Sequence, residues 1–103
     1  MNTLSFEAPP ARPDRYASAL LHDEPNARIV AFHLLPGQAV PPHHSPSTVV
    51  VQVLEGEGIF RGESGEAVLS PGQTAVYAPG ETHSMEPREG ALRFLVIITP
   101  RPQ

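Results

Sequence analysis

An all-β domain is the fold class this chain predicts, and three observations carry it. Thirteen prolines and eight glycines among 103 residues cut the chain into short pieces, and both residue types are poorly tolerated in a helix interior. No piece holds a sustained helical period, and the apolar runs are short and rich in β-branched residues, which favour strands. Those runs recur at even spacing between turn signals, the pattern of a sandwich or barrel. At this length the halves would be too small to bury cores of their own, so one domain is expected.

Residues 1–15 include Pro9, Pro10 and Pro13 and little apolar content, and read as an N-terminal arm or an edge strand; residues 16–103 read as a single barrel domain. Residues 16–22 (YASALLH) and 27–35 (ARIVAFHLL) form two strands around the turn Asp23-Glu24-Pro25-Asn26, as a hairpin. Pro36-Gly37 turns the chain into a short strand at Ala39-Val40, ahead of Pro41-Pro42. Residues 48–54 (TVVVQVL) are the strongest strand, and Glu55-Gly56-Glu57-Gly58 turns it into Ile59-Phe60-Arg61. Gly62-Glu63-Ser64-Gly65 is a hairpin loop before residues 66–69. Strands at 74–77 and 82–86 flank the turn at Pro79-Gly80, residues 91–99 (ALRFLVIIT) form the last strand, and 100–103 are a tail. The expectation is eight or nine strands in one closed β domain.

Two strands are apolar on both faces. Alternate side chains of a strand point oppositely, yet only Gln52 interrupts the run Val49-Val50-Val51-Gln52-Val53-Leu54, and residues 94–98 behave alike. A second buried face needs a cover, either another subunit in a homodimer or the chain's own arm.

The bulk properties exclude several function classes. A net charge of −4 argues against nucleic-acid and acidic-lipid partners, which call for a basic surface. The absence of cysteine removes disulfides, thiolate ligands and thiol nucleophiles. No apolar run approaches the roughly 20 residues of a membrane helix, and the first residues lack the layout of a secretory signal. A cytoplasmic protein without nucleic-acid or membrane partners is expected.

Two segments share a plan. PGQAVPPHHSPSTVVVQVLEGEG (36–58) and PGQTAVYAPGETHSM (71–85) each run from Pro-Gly through an extended stretch and deliver histidine at a strand end. Together they resemble the cupins, in particular the small single-domain members with an RmlC-like jelly roll. The first cupin motif is Gly, five residues, His-x-His, three or four residues, Glu, six residues, Gly; here Gly37, His43 and Gly56 fall in register. The second is Gly, five residues, Pro-x-Gly, two residues, His, three residues, Asn; here Gly72, Gly80 and His83 fall in register, with Ala78 at the Pro position. The resemblance spans about residues 16–99 and implies a jelly-roll (double-stranded β-helix) barrel.

The departures bear on function. The second histidine position is Ser45, the glutamate position is Val49, and the asparagine position is Pro87. The resemblance implies a metal held by three histidines and a glutamate, and of those four positions only His43 and His83 survive. His44 restores a third imidazole if the prolines around it force a bulge, since His43 and His44 point oppositely on a regular strand. A site of His43, His44 and His83 would suit one divalent transition ion, zinc, nickel, copper or iron; otherwise no metal is held and the rings simply line a pocket. Val49, Val51, Tyr77, Met85 and Phe94 are the further candidates to line it. His33, among Phe32, Leu34 and Leu35, reads as a satisfied core or interface residue, and Glu81 as solvated in preference to a partner supporting the nearby His83.

The sequence therefore points to a small-molecule-binding barrel with a small organic ligand. Two rivals stay open: a metal-dependent dioxygenase or isomerase, and a non-catalytic sensing or scaffold module.

Overall fold

Turn chemistry spaces the strands. In the computed structural model, which describes residues 1–102, residues 35–38, 70–73 and 78–81 adopt one kind of turn. Gln103, the end of the expected tail, lies outside the described residues. Each turn has Pro second and Gly third, with Gly37, Gly72 and Gly80 at φ 88°, 89° and 82°, the left-handed value that a type II turn demands there. The fourth residue closes the turn twice. Its backbone N–H donates to the first residue's carbonyl, at 3.0 Å for Gln38 and Gln73 and 3.1 Å for Glu81. Its side-chain oxygen accepts the first residue's N–H, at 2.9, 2.8 and 3.0 Å.

Between these punctuation marks run nine strands: β1 (Ala17–Glu24), β2 (Ala27–Leu34), β3 (Val40–His43), β4 (Thr48–Glu55), β5 (Gly58–Gly62), β6 (Gly65–Leu69), β7 (Thr74–Tyr77), β8 (His83–Pro87) and β9 (Leu92–Thr99). They form a five-stranded sheet in the order β1-β2-β9-β4-β7 and a four-stranded sheet in the order β3-β8-β5-β6. Every pairing is antiparallel, and β1 and β2 are the hairpin expected. The two sheets face each other as a jelly roll.

Alternation assigns the faces. Phe32, Phe94 and Val53 form one inward row across β2, β9 and β4, and Val30, Val96 and Val51 the next. Phe32 and Phe94 stack at 4.9 Å, and Phe60 from the opposite sheet meets Phe94 edge-on at 5.8 Å. Leu34, Leu92, Phe94, Val51 and Val53 are fully buried. Gly56 closes β4 with φ 79°, and a Cβ there would stand 2.1 Å from the Ala91 carbonyl oxygen.

The outer face of the larger sheet has two regimes. Residues 1–16 form no strand and run across β1 and β2. There the buried His33 donates from Nδ1 to the Pro9 carbonyl at 2.9 Å, and Gln38 donates to the Arg12 carbonyl at 2.5 Å. Beneath the arm Ala17 and Ala31 are buried. Further along, an apolar row of Ile29, Ile97, Val50 and Val76 crosses four strands. It ends in the open, with Val76 66% exposed.

Candidate functional site

The site begins with an irregularity. β3 and β8 pair Val40 with Met85 and His43 with His83, so three steps along β3 match two along β8. Pro41 and Pro42 carry no N–H for the ladder, which makes this the place where an extra residue costs least. Met85 and His83 face inward by ordinary alternation, and the extra residue brings Val40 and His43 inward with them; all four line one pocket. His44 follows the end of β3, exposed and outside that lining. The bulge that turns one histidine in thus leaves the other out.

The two rings sit 4.1 Å apart between centroids, edge to face at 64°. His43 donates from Nδ1 to the Pro41 carbonyl and His83 from Nδ1 to the Glu81 carbonyl, each at 2.9 Å. A carbonyl can only accept, so in the neutral rings both Nε2 atoms are acceptors. His43 is exposed at the strand end, while His83 is 3% exposed. Burial pushes the His83 pKa below its ordinary value, against the upward pull of the Glu81 carbonyl and with further lowering from His43.

These rings mark one end of a cavity of about 110 Å³ whose other walls include Val30, Phe32, Val49, Met85, Phe94, Val96 and Ile98. Of the residues expected to line it, Val49, Met85 and Phe94 do so. Val51 lies in the core beyond it, fully buried. Tyr77 stands behind His83, stacked on it at 4.5 Å, and borders a different cavity of about 270 Å³ between β5, β6 and β7. Its buried hydroxyl has no hydrogen-bond partner among the described residues, and burial followed by the charge of Glu81 pushes its pKa up to about 12.

Two contributors were underrated or missed in the sequence. Glu81, expected to be solvated, accepts N–H bonds from Ala78 and Glu63 on its two carboxylate oxygens, at 3.0 and 3.1 Å, while its carbonyl orients His83. The repeated Pro-Gly-Gln/Glu turn was the available signal for the first of these bonds. Ser45, at the lost second-histidine position, lines the pocket, and its carbonyl accepts the Gly80 N–H at 2.7 Å. That bond ties the bulged segment to the turn that delivers His83.

A divalent ion is what the fold family implies here, and the residues present do not make a site for one. Among the described residues no group of three or more His, Cys, Asp or Glu side chains could hold a metal ion. At the acidic position the donor is replaced by the Val49 alkyl group. Two neutral imidazoles fall short of the three or four protein ligands usual for zinc and leave a dication uncompensated among hydrocarbon walls.

A jelly-roll barrel with paired imidazoles from neighbouring strands of one sheet at the end of an apolar pocket defines this chain as a cupin. Residues 29–103 match the family model described as the AraC-like ligand binding domain, and the chain belongs to that family. It is similar to an RmlC-like cupin protein of Desulfovibrio desulfuricans, at 28% identity and TM-score 0.86 over 97% of each chain. It is also similar to a Thermus thermophilus protein, at 31% identity and TM-score 0.85 over 91% of each chain. A Thermotoga maritima protein named a predicted oxalate decarboxylase shares 27% identity at TM-score 0.77, over 84% of this chain and 81% of its own. No curated protein matches the sequence.

Proposed function

We propose that this chain is a non-catalytic small-molecule-binding domain whose ligand enters the barrel pocket and meets His43 and His83 at its polar end. One observation carries the reading. Two imidazoles whose Nε2 atoms are acceptors in the neutral rings stand together, with Ser45 beside them, at one end of a cavity otherwise walled by apolar side chains, the mix of apolar lining and few polar groups that marks ligand sites. Membership of a ligand-binding family supports it.

A metal-dependent dioxygenase or isomerase is the second reading. Each ring's Nδ1 is tied to a carbonyl, the arrangement that orients ligating imidazoles, and this favours it. Val49 at the acidic position weighs against it. The subunit arrangement belongs to the same proposal: a homodimer buries the outward row Ile29, Ile97, Val50 and Val76, which the arm leaves uncovered at the Val76 end.

An amide-resolved NMR titration with uncharged fragments of about five to seven heavy atoms, the scale a cavity near 150 Å³ accepts, tests the pocket. Shifts gathered on Val49, His83 and Met85 are expected. Shifts scattered over the surface, or gathered at another cavity, would overturn the reading.

A further inference from the structure

Resting on the ligand-pocket reading above, we infer that the ligand is a small uncharged molecule with a hydrogen-bond donor, an alcohol, phenol or N–H compound, bound without a metal. Every heteroatom the two rings offer inward is an acceptor, because both Nδ1 protons are spent on the Pro41 and Glu81 carbonyls. A ligand bringing only lone pairs would set acceptor against acceptor at both rings and could turn only to the Ser45 hydroxyl, whose oxygen accepts the Ser47 N–H at 3.2 Å. An alcohol or phenol donates to Nε2 of one ring and satisfies it.

Charge narrows the class further. Among the described residues no Lys, Arg, Asp or Glu lines the cavity, and His83 is almost wholly buried. A carboxylate entering here would lose its water with no cation to meet it, and an ammonium would lose its water with no anion; either cost is severe in a hydrocarbon surround. Size closes the description. About 110 Å³ is somewhat less than the roughly 150 Å³ of a cavity that takes up benzene. A single ring is therefore the upper limit of what it takes, with its polar substituent projecting at the His43 end, where the lining reaches solvent.

The test uses the full chain, freed of metal with EDTA, at pH 8 in amide-resolved NMR titrations with phenol, toluene and benzoate, which share one ring and differ in the group it carries. The expected result is that phenol shifts the Val49, His83 and Met85 amides and binds at least about tenfold more tightly than toluene, while benzoate moves none of them. Replacing the exposed ring in His43→Leu should shrink the preference for phenol; it is chosen beside His83→Leu because the latter removes a buried, stacked side chain and threatens the fold. Phenol and toluene binding equally would overturn the donor class and leave the pocket reading standing. Benzoate binding best, or phenol binding only after zinc is added, would overturn the uncharged, metal-free class. None of the three reaching the pocket would overturn the inference together with the pocket reading it rests on.

Discussion

At His83 the protein places an imidazole where water barely reaches, and its position makes stability depend on pH. Burial holds the folded pKa below the ordinary value of 6.5, so the unfolded chain takes up a proton first as pH falls. Above about 6.5 both states are neutral at this residue and it makes no pH-dependent contribution. Below that value the unfolded state gains, and stability falls until pH has passed the folded pKa. Thermal unfolding at pH 7.5 and 5.5 should show a lower Tm at the acidic value and a smaller drop in His83→Asn. Tyr77, stacked on the same ring, carries a buried hydroxyl without a partner among the described residues. Leaving such a group unsatisfied costs about 1–3 kcal/mol. Tyr77→Phe should therefore be neutral or stabilising by up to about 1 kcal/mol in denaturant unfolding, and a marked loss would mean that the hydroxyl has a partner in solution.

Among the elements, the turns were the most legible in the sequence. Pro-Gly followed by Gln or Glu occurs three times, and each copy folds into the same doubly closed turn. The strands were fixed to within a residue or two except β3, expected to end at Val40 before the prolines and running instead through Pro41 and Pro42 to His43, because its pairing with β8 continues to His83. The β3 bulge was only half legible. Pro41 and Pro42 announced that the ladder would break, but whether one or both histidines would then face inward depends on the count of residues against β8, a tertiary fact. The misplacement of Tyr77 and Val51 has a similar cause: alternation says which side chains point inward, not how far along the barrel each meets the cavity. The supporting role of Glu81 was the less favoured of two readings, because one of its partners, the Glu63 amide, lies eighteen residues away. Two glycines rank the turns by what a side chain would meet. At Gly72 a Cβ finds nothing within 4 Å, so Gly72→Ala should cost only the left-handed conformation, about 1–2 kcal/mol. At Gly56 the same atom would lie 2.1 Å from the Ala91 oxygen, and the loss on Gly56→Ala should be clearly larger. Equal losses in urea unfolding would contradict this account of the β4 end.

For the whole molecule, the two-faced apolar strands posed a choice between the arm and a second subunit, and the structure divides the surface between two regimes. The arm lies over β1 and β2, tied through His33 and Gln38; the row from Ile29 to Val76 is left open at its Val76 end. Val50 lies within that row on the face opposite Val49, so Val50→Asp should give monomer or aggregate by light scattering and leave the pocket intact. A variant that remains a clean dimer, or a wild-type chain monomeric when dilute, would remove the proposed interface. The central claim concerns the pocket, namely that His43 and His83 form a polar end for an organic molecule and are one acidic ligand short of a metal centre. Calorimetric titration of zinc into wild type and Val49→Glu near neutral pH tests it most directly. The account predicts wild-type binding no tighter than about 10 μM and a gain of at least tenfold, about 1.4 kcal/mol, in Val49→Glu. Stoichiometric sub-micromolar binding by the wild type, abolished in His44→Ala, would contradict it and restore the three-histidine metal site.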